Sequence, residues 1–521
     1  MLKTLILKDW RGLNRISDRL NMPPDFLYDL QNGYVKKDVK SNVGVITQRD
    51  GCEKFNSVTL DTGGYGTTTK IKVVYEAKWN AGGTDIIIRA GTAWGKYDSS
   101  DSFDTIDGAR TNDASGQCVM FKNNLIMVDG GVPRKMDSAY TVSKLSEDND
   151  MPQKSDCVWV HRDKVWLNDT DNPMVAHFCT TNSAFGTGSW SGATDAGTID
   201  LSTVLPEGDK ILGFRTYGGI DSGLVAIVCQ KYTVIYSAGS NVYDFTFIQY
   251  FPTTCLSMQS CAYVGTDLVY ASRNSVTSIT SSQTNQQLEI NPLSKYIELM
   301  YRDYIELLGS ASEPLISGVF HKKLNHYYLT IPITGNAQTL VYSLDIGNFV
   351  GGWTYPFTIY SWCERLSGVL LAGGDGYVYT MNSGNNDDGT AITWKASFPA
   401  LYFKEPMRYK KPVSLEALIY AETADPSLSV DYWYGGVGTL VATNLTKAIA
   451  LAAGSILYYW DNAASLWDES YWAETSASYL YRTSDLLGRG RFMFLDISHS
   501  TDTAKVTLAH LAIGYVLEGE N

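Results

Sequence analysis

Charge is scarce in this chain, and what there is leans acidic. Charged residues make up 19% of 521, with a net charge of −13 and a sequence pI near 5.0. A protein that grips nucleic acid tightly needs a basic footprint to displace phosphate counterions. Global composition argues against that class and leaves room only for a local basic patch. Long apolar runs are also missing: nothing approaches the roughly 18 residues of a membrane-spanning helix. The opening MLKTLILKDW has too few consecutive apolar residues for a secretory leader. The expectation is a soluble, cytoplasm-made chain with no stable membrane insertion.

Metal and redox chemistry is thinly provided for. The six His (His161, His177, His321, His326, His499, His510) are scattered and form no HExxH. The eight Cys include no CxxC, and Cys157, Cys229 and Cys261 sit in apolar, strand-like runs. Free Cys packs as a small hydrophobe, so reduced core thiols are expected, with no metal and no cofactor. Acidic turns at Asn168–Pro173, Glu147–Asp150 and Asn385–Gly389 match neither an EF-hand nor an RTX repeat and read as solvated turns. No nucleophile elbow occurs. HRDKVWLN, His161–Asn168, has the spacing of a kinase catalytic loop, but DFG, APE and a phosphate-covering loop are absent. It reads instead as a hairpin turning at Arg162-Asp163. GGYGTTTK, Gly63–Lys70, lacks the Gly-Lys-Ser/Thr that opens a P-loop helix and reads as a link. No catalytic residue is expected, and the chain reads as a non-enzyme.

Present in quantity are turn formers and aromatics: 46 Gly, 34 Tyr and 12% aromatic residues overall. Aromatic and β-branched side chains fit a pleated surface, so the fold class is all-β. Between about residues 70 and 385 an alternating apolar run begins seven times, at Lys70, Cys118, Cys157, Ile211, Cys261, Ile316 and Ser361. Spacings of roughly 40–55 residues suit four-stranded propeller blades. Radial repetition also disposes of the edge strands that so much β-sequence creates. The expectation is a β-propeller of about seven blades (six to eight) over residues 61–390, with an array of β-sandwiches as the competing architecture.

One segment breaks the β pattern. At 292–310, Leu293, Ile297, Met300, Tyr301, Tyr304 and Leu308 recur at steps of three and four, with Pro292 ahead and Gly309 behind. This predicts an amphipathic helix that covers a propeller face or packs between subunits. From 391 to 521, widely spaced alternating strands predict a β-sandwich, with Val506, Leu508, His510, Ala512, Gly514 and Val516 on one face. An aromatic-rich stretch at about 437–481 reads as an insertion in it.

Residues 1–60 read as an extended arm joining the sandwich or a ring. DWRGLN (Asp9–Asn14), RIS (Arg15–Ser17), PPDFLYDLQNGYV (Pro23–Val35) and VITQRDGCEKF (Val45–Phe55) together resemble the N-termini of tail nozzle (hub) proteins of short-tailed bacteriophages. Arg11 stands where those proteins usually carry a second Gly, and Arg49-Asp50-Gly51 stands for a fuller Arg-Lys-Arg-Pro-Gly. The resemblance implies a structural virion protein without catalytic residues. Copies would form a ring, a hexamer, below the tail adaptor and bear fibres or spikes. DNA would pass through its channel without sequence-specific binding, and an acidic chain would not trap that polyanion. The ring would belong to the virion tail and assemble in the bacterial host cytoplasm. Interface residues expected on this reading are Trp10, Arg11, Gly12, Leu13, Asn14 and Arg15 of the arm and Tyr296, Met300 and Tyr304 of the helix. Deleting residues 1–35 should then impair assembly more than propeller folding. The alternative is a propeller that binds or hydrolyses host glycans, stacking sugars on Trp190, Trp353 or Trp362.

Overall fold

The computed structural model describes residues 2–518 apart from 39–42, 61, 66–68, 81, 99, 109, 111–114, 192–194, 218–222, 238–244, 282–287, 336, 422–426, 437–438, 451–479 and 502–504. All seven apolar starts become first strands of antiparallel four-stranded sheets: Ile71–Lys78, Gln117–Phe121, Val158–His161, Ile211–Tyr217, Ala262–Val264, Ser317–His321 and Ser361–Glu364. The last of these packs back against the first and closes the circle. The architecture is a seven-bladed β-propeller. Tight hairpins set its register. Lys122-Asn123 (φ 46° and 59°) and Arg162-Asp163 (φ 47° and 58°) hold positive φ at both turn positions, which matches the twist of the strands they join. His161 pairs with Lys164 across the second turn, so the kinase-like spacing is a hairpin.

The propeller limits differ from expectation. Blade seven takes three strands from Ser361–Met381, and its fourth is β5 (Cys52–Lys54), pairing Tyr379 with Lys54 and Met381 with Cys52. The ring therefore runs from residue 52 to 381. A strand from the start of the chain bonded to one from the end closes the circle without a covalent link.

Between blades five and six lies the helix Glu298–Leu308, shorter than 292–310. Pro292 ends the outer strand of blade five, and Gly309 stops the helix at φ 73°. Ile297, Met300, Tyr301 and Ile305 are buried, with Tyr301 Oη donating to Ser272 O, while Leu299 and Leu307 are exposed.

The C-terminal residues form a two-sheet platform. One sheet runs β3 (Gly33–Lys37), β4 (Gly44–Gln48), Val506–Glu518, Tyr409–Ala421 and Leu480–Asp485, and β1 (Leu2–Leu7) pairs beside β4 on Val506–Glu518. The other runs β2 (Asp29–Gln31), Thr390–Ser397, Phe492–Thr501, Ser427–Gly436 and Thr439–Ala450. Leu415, Ala417, Leu511 and Ile513 of the first share one core with Leu428, Val430, Leu495 and Ile497 of the second. Strand β2 also pairs in parallel with the outer strand of blade six, and Asp387 pairs with Cys52 of blade seven. The platform's second sheet and two blades are therefore one hydrogen-bonded sheet, while its first sheet stays separate. Thr439–Ala450 and Leu480–Asp485 bound the expected insertion, whose middle lies outside the described residues.

The predicted face of the last strand needs correcting. Leu418 pairs with His510 but Ile419 with Leu508, so the register slips at Ala509. A one-residue bulge flips every later side chain. Val506 and Leu508 point inward as expected, but beyond the bulge Leu511, Ile513 and Tyr515 do so. Ala512, Gly514 and Val516 turn to the other face, opposite Ile6, Thr4 and Leu2.

Candidate functional site

The arm is woven into its own chain. Strand β1 lies antiparallel on the last strand, Leu2 opposite Val516 and Leu7 opposite Leu511. Trp10 is buried 6.1 Å from the Phe398 ring, with its backbone N–H donating to Gly44 O. The chain then crosses the outer strand of blade six. Leu13 N–H donates to Phe349 O at 2.8 Å, and Asn348 Nδ2 donates to the carbonyls of Arg11 and Leu13, both at 3.1 Å. Gly12 sits at φ +100°, and a Cβ there would collide with Phe349 O. That close approach explains the Gly of RGLN.

The two groups of residues expected at an interface meet inside one chain. Arg15 N–H donates to Tyr296 O at 2.7 Å, and the Arg15 guanidinium lies 4.2 Å over the Tyr28 ring. Trp10, Leu13, Asn14 and Met300 are buried, so these four pack inside the chain and offer little surface. Tyr304 is partly buried and packs against the same core. Burial raises its phenol above the ordinary value, helped by Asp29 and opposed by Arg15. Arg11 is exposed and pairs with Asp25 at 3.1 Å.

Two arginines fasten this arrangement. Arg19, which nothing in the sequence singled out, donates Nε to Phe398 O at 2.8 Å and Nη2 to Asp496 at 2.6 Å. Its guanidinium also lies over the Trp433 and Phe494 rings. Arg49 has a fully buried side chain and uses all five N–H donors. Nε reaches Asn32 Oδ1 at 3.1 Å, Nη1 reaches Asp50 O at 3.0 Å and Asp387 Oδ1 at 2.7 Å, and Nη2 reaches Thr354 O at 2.8 Å and the second Asp387 oxygen. Burial alone would pull this guanidinium down, but the Asp387 hydrogen bonds outweigh it and the net shift is upward. Burial, with the Asp387 carboxylate behind it, pushes the Cys52 thiol up. At Gly51 a Cβ would strike Asn386 O. The Arg-Asp-Gly motif is thus the joint where arm, blades six and seven and platform meet.

Outward, the platform's first sheet is partly apolar. Leu2 (62% exposed) and Ile6 (57%) project from β1, and Met407, Tyr409, Val413 and Leu487 are also exposed. Among the described residues β1 pairs only with Val506–Glu518, so it forms a sheet edge.

The tryptophans proposed as sugar platforms are placed otherwise. Trp190 is 3% exposed with Nε1 donating to Ala184 O, and Trp353 is 1% exposed with Nε1 donating to Gly33 O. Both fill cores and present no stacking face. Trp362 stacks on Tyr328 and lines the propeller axis. Among the described residues no group of three His, Cys, Asp or Glu is placed to hold a metal, and no helix is long and apolar enough to cross a membrane.

No protein-family model and no curated protein matches the chain. Among solved structures it is similar to the Neurospora crassa Pan2 WD40 domain (TM-score 0.39, 10% identity, 64% of this chain and 95% of that one). It is also similar to virginiamycin B lyase from Staphylococcus aureus (TM-score 0.39, 8% identity, 60% and 95%). A third is BBS1N in complex with ARL6DN (TM-score 0.39, 9% identity, 63% and 96%). Likeness this slight carries no functional argument, and the propeller is read from the strand pairing.

Proposed function

We propose that the chain is a structural ring subunit, a tail nozzle (hub) protein of a short-tailed bacteriophage. Copies join through the platform, the propeller stands off the ring, and DNA leaves through the ring's channel without base readout. The observation that carries the reading is the β1 edge with Leu2 and Ile6 exposed on it. An open strand with an apolar face is a template for further pairing. The occupant is a second copy of this chain. A head-to-tail contact between unlike surfaces closes into a ring when the rotation allows, and among the described residues the same sheet ends on its far side at Leu480–Asp485.

The residues that carry the resemblance support the reading from another side. Gly12, Arg49 and Gly51 sit where arm, blades and platform are stitched together. On this reading the motif preserves the angle between platform and propeller, on which a ring depends. The tail adaptor would bind one ring face, with fibres or spikes outside. The assembly would be a hexamer, built in the host cytoplasm and carried in the virion tail.

Mass photometry of the full chain with purified adaptor tests this. Rings are expected for the native chain, and loss of rings at unchanged melting temperature for the double variant Leu2→Lys, Ile6→Lys. Only monomer with adaptor present, or undiminished rings in the double variant, would overturn it.

A further inference from the structure

The first strands of six blades, with Met258, Gln259 and Cys261 just ahead of the first strand of blade five, line a cavity of about 200 Å³ on the propeller axis. It adjoins a wider mouth of about 430 Å³ that shares Lys72, Gln117 and Gln259 with it and adds Asp156, Lys210 and Ser257. We infer that this axial cavity binds a small oxyanion, a carboxylate or phosphate group, held chiefly by Arg215.

Charge is the first ground. Besides Lys72, which is already engaged, the lining of the two spaces carries the cation Arg215 and the pair Lys210 and Asp156, in a chain whose net charge is −13. Asp156 is already engaged, by Lys210 Nζ at 3.2 Å and Asn168 Nδ2 at 2.6 Å. Arg215 stacks over the Trp159 ring at 4.4 Å and donates Nη1 to Phe214 O at 2.9 Å. A guanidinium carries five donors, so most of this fork is unspent, and Arg215 pairs with no carboxylate among the described residues. A partly desolvated cation without a counter-charge is costly. A bound anion removes that cost, in a setting where low dielectric strengthens the attraction.

Unpartnered polar atoms are the second ground, and they are independent of the charge. Ser317 is 1% exposed and lines the cavity, and its Oγ has no hydrogen-bond partner. Gln259 spends Nε2 on Lys72 O at 2.9 Å and leaves Oε1 without a donor. Buried polar atoms are satisfied in most proteins, by protein, water or ligand. Here a buried, unpartnered hydroxyl, Ser317, and the cation Arg215 line one space, a combination that suits an oxyanion, and Gln259 Oε1 can accept from a ligand hydroxyl. Trp159, Trp362 and Tyr75 supply flat walls for a short carbon chain. The inner cavity has room for about six waters, enough for phosphate or a carboxylate of a few carbons. This inference stands whether or not the chain forms a nozzle ring.

Thermal shift and calorimetric titration of the full chain test it, with inorganic phosphate, acetate and lactate compared at ionic strength fixed by sodium chloride. A saturable rise in melting temperature beyond chloride is expected for at least one. A phosphate-only response assigns a phosphoryl ligand, and an acetate or lactate response assigns a carboxylate. Arg215→Met should weaken binding by about 10- to 100-fold, and Ser317→Ala by about 3- to 10-fold. No saturable shift with any of the three, or full binding in a folded Arg215→Met, would overturn the proposal. If Arg215→Met does not fold, selenate soaked into crystals of the native chain decides. An anomalous peak within hydrogen-bond distance of Arg215 supports the site, and an axis empty at saturating selenate refutes it.

Discussion

Asp387→Ala is the most revealing single perturbation of this structure. The Arg49 side chain is fully buried, and two of its five hydrogen bonds end on the Asp387 carboxylate. Removing the aspartate leaves a buried guanidinium with two unmet N–H groups and no counter-charge. Breaking a buried pair from one side costs about 3–5 kcal/mol, whereas replacing both partners by apolar residues of similar volume costs far less. The propeller spans residues 52–381. With an unfolding entropy of about 2.1 cal/mol/K per residue over that length, the single variant should melt roughly 4–7 °C lower. Because platform and propeller need not unfold together, hydrogen exchange gives the sharper assay. Protection should fall first at Cys52–Lys54 and its partner Val378–Met381, the pairing that closes the ring. Arg49→Met with Asp387→Leu should recover much of the loss. A melting temperature within about 1 °C of native for Asp387→Ala, or loosened exchange confined to other blades, would refute this account of the joint.

Gly12→Ala must hold φ near +100° and displace Phe349 O. It should cost about 1–3 kcal/mol and expose the arm to limited proteolysis while blade three stays protected. Burial lowers His326 and His161 from 6.5 to about 4, aided by His321 and Arg162 respectively. Above pH 6.5 both are neutral folded or unfolded. As pH falls from 6.5 to about 4 only the unfolded chain takes up these protons, so up to about 3 kcal/mol of stability per histidine is lost in that window. Melting temperature against pH should show this slope, and His326→Gln should flatten it. All eight cysteines are free and six are buried. Dithiothreitol should therefore leave melting unchanged, and before unfolding iodoacetamide should label at most Cys118 and Cys363, reaching the other six only afterwards. Deleting residues 1–35 removes β1, β2 and part of β3, so the platform, more than ring assembly alone, should fail, as near-UV circular dichroism would report.

Much of the fold was legible because its causes are local. An alternating apolar run is inward on one face wherever it pairs, so the seven starts marked seven first strands. Arg162-Asp163 was legible as a turn because it is a polar pair between two alternating apolar runs and Asp tolerates positive φ, and the 292–310 periodicity marked a helix with its ends misplaced by a few residues. The tertiary structure decided what depends on partners far along the chain. Lys54 pairs with Tyr379 and Leu2 with Val516, because a strand adds to whichever edge is left open when the blades close. No local pattern encodes that choice. The bulge at Ala509 redirected the face of the final strand, and burial of Trp190 and Trp353 followed from the layers above them. The letters Gly12, Arg49 and Gly51 were visible as a motif, but its meaning was not. A glycine shows that something comes close, and an arginine that a charge must be met. Only the folded chain shows that these are Phe349, Asp387 and Asn386, brought in from more than 300 residues away.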